Sequence, residues 1–182
     1  MLSHRIDGER DLRLLEERDA AELQAVIESN RAHLAAWMPW AAEQTLDGTL
    51  DYIRRSRREL GERRALELAI VQRGAIIGGA GLNRVDWVNL GANIGYWIAE
   101  RAQGRGTVTM AVRALVDHAL GAWDLHRVEI RAGVENARSR AVPVRLGFVQ
   151  EGVLRGIERF GDRYLDHAVY GMLADDWPSA RG

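Results

Sequence analysis

GYWIAERAQGRGTVTMAVRALVDHAL, residues 95–120, decides how the rest of the chain is read. Starting one residue upstream, large apolar side chains stand at Ile94, Tyr96 and Ile98, the period of a half-buried strand. The segment RAQGRG at 101–106 follows, where Gly104 and Gly106 permit tight turns and close approach of a ligand to the backbone. From Thr107 the period changes. Val108, Ala111, Val112, Leu115, Val116 and Ala119 fall on one helix face. A glycine turn feeding a helix presents unpaired N–H groups and the positive end of a dipole, about half a unit charge. That is a seat for phosphate.

The chain has no lysine, so this is not a P-loop, and the third glycine of a Rossmann fingerprint is missing. The spacing Arg101-x-x-Gly104-x-Gly106 instead resembles the Q/R-x-x-G-x-G/A signature with which GNAT N-acetyltransferases hold the pyrophosphate of acetyl-CoA. Taken alone, the same residues also read as a plain strand-to-helix turn.

A length of 182 residues suits one domain, 1–182, with a substantial core. Hydrophobic residues at 47% and charged residues at 28% describe an ordered, soluble globule. A net charge of −1 gives no drive toward nucleic acid or an anionic membrane. No apolar run has the length of a membrane span and no secretory signal is seen, so a cytoplasmic location is expected. The absence of cysteine excludes disulfides, thiolate metal sites and an acyl-cysteine intermediate. All 25 basic side chains are arginines, suited to carboxylate or phosphate pairing. A genome-wide codon bias produces the same composition.

Along the chain, Leu12, Leu14 and Leu15 mark an N-terminal strand after a turn at Asp7 and Gly8. Asp19 and Glu22 have capping-box spacing, predicting a helix over 20–30. A short helix over 31–37 stops before Pro39. Trp37 and Trp40 bracket that proline; they either wall an acceptor pocket or simply pack against a sheet. A helix over 49–60 carries Tyr52 and Ile53 inward and four arginines outward. Strands at 65–71, 75–83 and 90–99 form an antiparallel meander with turns at 73–74 and 86–89. After the central helix come a strand over 126–132, a helix to Leu146, and two strands around Gly161. Because proline suits only the first turn, Pro143 sets that helix to start near Ser139. The order predicts an α+β fold, a mixed, mostly antiparallel central sheet with helices on both faces.

The C-terminal third is more specific. Asn136 and Ser139 form N-x-x-S, followed by Leu146-Gly147-Phe148, Glu151-Gly152 and Arg155, then Gly161, Asp166 and Tyr170. With Ile94, Gly95, Tyr96 and Trp97, this resembles the RimJ/RimL-type branch of the GNAT acetyltransferases, from about residue 12 to 177. The resemblance implies the GNAT (acyl-CoA N-acyltransferase) fold and acetyl transfer from acetyl-CoA, with no metal, to a primary amine. The N-terminal α-amine of a protein or peptide comes first; a small-molecule amine (polyamine, amino acid or antibiotic) is the alternative. A non-catalytic acyl-CoA-binding module follows, and a nucleotide-binding module comes last. A homodimer is a further family expectation.

The resemblance also distributes roles. Tyr96, Trp97 and Ile98 lie on the strand that takes the pantetheine arm. Arg101, Gln103, Gly104, Arg105, Gly106, Thr107, Val108 and Thr109 wrap the pyrophosphate, and Asn136 contacts CoA. Ser139 protonates the leaving thiolate and Glu158 is the general base. Each has a plainer reading: Asn136 and Ser139 as helix caps, Glu158 as a surface ion pair with Arg155, Arg159 or Arg163. His126 reads as structural, and His167 has no metal-spaced partner. Met110 and Val144 depart from the family pattern, where a polar residue is common, and suggest an altered contact surface.

Overall fold

In the computed structural model, which describes residues 3–178, the strands are β1 (Ser3–Arg5), β2 (Arg10–Leu14), β3 (Leu66–Gln72), β4 (Ala75–Asp86), β5 (Gly91–Ile98), β6 (Arg127–Gly133), β7 (Val149–Phe160) and β8 (Arg163–Leu173). The helices are α1 (Ala20–Ser29), α2 (Arg31–Ala35), α3 (Leu46–Gly61), α4 (Thr107–Asp117) and α5 (Ala137–Arg145). The strands make one sheet in the order β1-β2-β3-β4-β5-β6-β8-β7. Every pairing is antiparallel except β5 with β6. This is the mixed, mostly antiparallel sheet with helices on both faces that the element order predicts.

Strand alternation divides the core in two. Leu66, Leu68, Leu82, Ile94 and Ile130 face Ala111, Val112 and Leu115 of α4 and Val142 of α5. Ala69, Val71 and Ile76 face Leu23 and Ile27 of α1, Leu34 of α2 and Ile53 of α3. The periodic face of α4 anchors the first layer: Ala111, Val112, Leu115 and Val116, with Ala119 in the turn that follows, are all fully enclosed.

Several boundaries differ from the sequence expectation, each for a local reason. β1 is three exposed, polar residues with no period to detect. α3 starts at Leu46 because Thr45 caps it, its Oγ1 accepting from the Gly48 N–H at 3.1 Å. The capping box lies one turn upstream of its expected place. Asp19 accepts from the Glu16 N–H at 2.8 Å and from Arg13 Nη1 at 2.6 Å, and a 3-10 turn (Glu17–Asp19) precedes α1. Glu22 accepts from the Ile76 N–H at 2.7 Å and so pins α1 to β4. A guanidinium from β2 is a stronger partner for Asp19 than a helix N–H.

The start of α5 is a correction. The helix begins at Ala137, not near Ser139, and Pro143 lies in its interior. A proline there removes the N–H that would donate to the carbonyl four residues back, which is that of Ser139. The phenol of Tyr96 supplies the missing donor, its O–H bonding the Ser139 carbonyl at 2.9 Å. The Ser139 hydroxyl in turn donates to the Tyr96 oxygen at 3.2 Å. A defect in α5 is thereby matched to a side chain of β5, and the proline position carries a tertiary contact.

This pairing makes a double-mutant prediction. Tyr96→Phe should cost about 1 kcal/mol in the native background, where it orphans the Ser139 carbonyl. In a Pro143→Ala background, the restored N–H serves that carbonyl, and the same change should cost nearly nothing. Urea unfolding of the four proteins should give a coupling above roughly 0.5 kcal/mol; equal costs in both backgrounds would contradict the account.

Candidate active site

The site is made by a parting of strands. β5 and β6 pair from Gly91–Arg127 to Ile94–Ile130 and no further. Beyond that point β5 runs on along β4, to Ile98 opposite Gly78, while β6 runs on along β8, to Gly133 opposite His167. The edges of residues 95–98 and 131–133 that face each other carry no ladder between them. A cavity of about 1510 Å³ opens at the parting and reaches both faces of the sheet.

On the α4 face, Gly104 and Gly106 adopt φ of +74° and +71°, a conformation costly for residues with a Cβ. The first intrahelical donor of α4 is Met110, whose N–H bonds the Gly106 carbonyl at 3.0 Å. The N–H groups of Thr107, Val108 and Thr109 therefore precede the helical ladder, at the positive end of the dipole. Arg10 of β2 clamps the turn from behind, donating to the Arg105 carbonyl at 3.2 Å and to Thr107 Oγ1 at 2.9 Å. Gln103 bridges two helices, with Nε2 2.7 Å from His33 Nε2 of α2 and Oε1 accepting from Arg138 of α5 at 2.7 Å. A concave run of backbone donors beside Arg105, Arg138 and Arg145 fits a diphosphate.

Asn136 caps α5, accepting from the Ser139 N–H at 3.0 Å, and also lines the cavity. Ser139 is not a cap. It sits inside the first turn, held by Tyr96, with its side chain at the cavity wall. Burial pushes the Tyr96 phenol up to about 12, against the Ser139 bond that favours ionisation, so Tyr96 is a neutral donor.

On the opposite face, Trp37 and Trp40 both line the cavity, and Trp40 stacks edge-on against Trp97 at 6.2 Å between centroids. Glu158 belongs to β7, where a bulge places residues 155–157 opposite no partner. The Gly156 N–H donates to Asp166 Oδ1 at 2.7 Å within that bulge. Glu158 Oε2 lies 2.9 Å from His167 Nε2. Its partner is thus a histidine on the adjoining strand β8, not one of the neighbouring arginines. Both side chains line the cavity.

Of the residues given a binding or catalytic role from the sequence, Arg101 alone does not line the cavity; it is exposed on a 3-10 turn (Glu100–Ala102). Met110 lines the donor end, and Val144 is 61% exposed on α5. Sequence reasoning missed Arg10, His167 as the partner of Glu158, and the pair Tyr52–Glu67. Glu67 had a visible signal, a lone carboxylate within the apolar run 65–71. Burial pushes its carboxyl up to about 7, and the Tyr52 hydroxyl donates to it at 3.2 Å.

A family model described as an acetyltransferase (GNAT) domain matches residues 11–149. A putative ribosomal N-acetyltransferase, YdaF of Bacillus subtilis (strain 168), is 34% identical over 97% of this chain and 98% of its own length. The ribosomal-protein-serine acetyltransferase of Escherichia coli (strain K12) is 36% identical over 58% of this chain and 59% of its own. Among solved structures, the microcin C7 self-immunity acetyltransferase MccE, in complex with acetyl-CoA and AMP, superposes with a TM-score of 0.87 at 29% identity, covering 92% of this chain and 94% of that one. A parted parallel strand pair, a glycine turn opening α4 and a match along nearly the whole sequence agree, and this chain belongs to the GNAT acetyltransferase family.

Proposed function

We propose that the protein transfers an acetyl group from acetyl-CoA to the N-terminal α-amine of a protein or peptide. The observation that carries this is the cavity, with phosphate-type donors at one end and aromatic and acidic side chains at the other. That the full-length relative is a putative ribosomal N-acetyltransferase supports a polypeptide acceptor. No helix among the described residues is long and apolar enough to cross a membrane, and a cytoplasmic setting fits such an acceptor.

The chain's residues divide the work. The N–H groups of residues 104–109 hold the diphosphate, and the open edge of β5 pairs with the pantetheine amides as an added strand would. When bound, acetyl-CoA supplies a thioester at the parting. A backbone N–H of the 96–99 segment polarises its carbonyl as oxyanion charge develops. The absence of cysteine makes direct attack by the amine the available route. Ser139, positioned by Tyr96, donates its hydroxyl proton to the departing sulfur. Glu158, held by His167, takes a proton from the nitrogen as the tetrahedral adduct collapses. Trp37 and Trp40 flank the entering chain end.

The homodimer implied by the resemblance fits the outer strand of the sheet. β7 exposes Val149, Val153, Leu154 and Ile157 on an unpaired edge, an arrangement that favours pairing with another strand. A second copy supplies that strand. Sedimentation should give a dimer for the native protein and a monomer for the double variant Val153→Arg, Ile157→Arg; a native monomer would refute it.

CoA release, followed with a thiol reagent, tests the transfer directly, since the cysteine-free chain gives no background. With acetyl-CoA and peptides beginning with serine or alanine, Ser139→Ala and Glu158→Gln should each lower kcat by about 10²-fold and leave the KM for acetyl-CoA nearly unchanged. Release with polyamines or amino acids alone would make it a small-molecule acetyltransferase. Acetyl-CoA binding without release would make it a binding module, and no binding at all would remove the phosphate seat at 104–109.

A further inference from the structure

Among the carboxylates on the acceptor side of the sheet, three differ in what holds them. Glu129 is paired with Arg127 at 3.1 Å and Arg131 at 2.5 Å. Glu158 has His167. Glu67 has no cation within ion-pair distance among the described residues; its hydrogen bond comes from the neutral Tyr52. Arg55 lies instead over the Tyr52 ring, 5.8 Å from its centroid.

Sheet register places Glu67. It stands opposite Gly81 of β4, which stands opposite Gly95 of β5. A Cβ on Gly81 would fall on the Glu67 carboxylate, so the missing side chain is what lets the carboxylate lie across β4. Gly95 is the first residue of β5 past the parting. One strand spacing, about 4.8 Å, separates the seat of the carboxylate from the open edge. Asn83, 2.8 Å from where a Gly95 Cβ would be, and Trp97, 2.8 Å from where a Gly79 Cβ would be, wall the same lane. Glu67, Gly79, Asn83, Gly95 and Trp97 line the cavity.

We propose that Glu67, steadied by Tyr52, receives the acceptor's α-ammonium and takes its first proton. The proposal rests on the transfer reading above and adds the step that delivers a neutral nucleophile. An N–H bond of the ammonium breaks with its electron pair staying on nitrogen, and an O–H bond forms on Glu67. That pair attacks the acetyl carbon; the C–N bond forms and the C–S bond breaks with its electrons leaving on sulfur. The second nitrogen proton goes to Glu158 while Ser139 protonates the sulfur. The proton on Glu158 restores the serine hydroxyl through solvent, and that on Glu67 is the one released overall.

The chemistry of Glu67 also selects among amines. Tyr52, Arg55 and Glu59 of α3 are the titratable groups facing it; β4 contributes glycine. With its carboxyl up at about 7 through burial, it nearly matches an α-amine of about 7.7–8.0 but not an alkyl amine of about 10.4. Deprotonating a lysine-type or polyamine nitrogen is therefore disfavoured by a further few hundredfold, roughly. The subsite takes chain ends.

The test uses the CoA-loaded enzyme, a tripeptide amide beginning with serine or alanine, and its N-acetylated form. By calorimetry the native protein should favour the free amine by about tenfold or more, a preference that disappears in Glu67→Gln. In turnover, Glu67→Gln should lower kcat/KM for the peptide by about 10²-fold and abolish the acid limb near pH 7, with the KM for acetyl-CoA unchanged. Tyr52→Phe removes a donor that favours the carboxylate, so it should move that limb to higher pH. Folding is checked separately. A carboxyl raised from 4.5 to about 7 binds the extra proton in the folded state between those values, so stability falls as pH rises through the window. Glu67→Gln should then melt at or above the native temperature at pH 8. An unchanged amine preference or acid limb in Glu67→Gln, a native protein indifferent to the free amine, or a lowered melting temperature with lost CoA binding would each overturn the proposal. If the preference vanishes in Glu67→Gln while no peptide releases CoA, the ammonium subsite stands and the transfer reading fails.

Discussion

Everything in this molecule depends on two parallel strands that stop bonding halfway. β5 and β6 share a ladder through Ile94 and Ile130 and then separate, although both continue. Unpaired backbone groups are costly once shielded from water, so the split persists only because each strand is secured on its far side. β4 holds β5 to Ile98 and β8 holds β6 to Gly133. The enclosed faces of α4 and α5 keep the two halves from sliding together. An open edge in the middle of a sheet is a place where an extended ligand can complete the hydrogen bonding between two held strands.

Around that opening, ordinary folding rules are broken and the losses are made good by contacts that build the site. Pro143 removes a helix donor, and Tyr96 replaces it across the parting, which fixes the Ser139 side chain at the cavity. Gly104 and Gly106 take left-handed backbone conformations, and Arg10 from the second strand ties the turn down. Bulging β7 disrupts its ladder, and Asp166 takes the freed Gly156 N–H while Glu158 turns toward His167. An irregular backbone, a compensating hydrogen bond and a functional group coincide in all three places.

Charge follows the same division. The α4 side offers backbone dipoles and arginines to an anionic cosubstrate. The acceptor side offers carboxylates in graded states: Glu129 neutralised by two arginines, Glu158 beside a histidine, Glu67 without a cation. A buried carboxylate without a cation is destabilising in isolation, and such groups concentrate where a cation or a proton is to be received.

Local pattern along the chain was enough for most of the elements and for the donor half. Periods of two and 3.6 around residues 94–119, with glycines between, are local properties that need no tertiary knowledge, and they located β5, the turn and α4. The misplaced boundaries had one near cause and one distant one: Asp19 answered to Arg13 and not to its own helix, and Pro143 was read by a helix rule that Tyr96 of β5 overrides. The acceptor half was different. Glu67 is one carboxylate in an apolar strand, and nothing within the run 65–71 says that glycines on two neighbouring strands would bare a lane across the sheet for it. The pairing of Glu158 with His167 required the offset of a bulge. Repeating patterns along one chain fix which residues share a face; only strand register and the parting decide which faces meet, because those are relations between segments far apart in sequence.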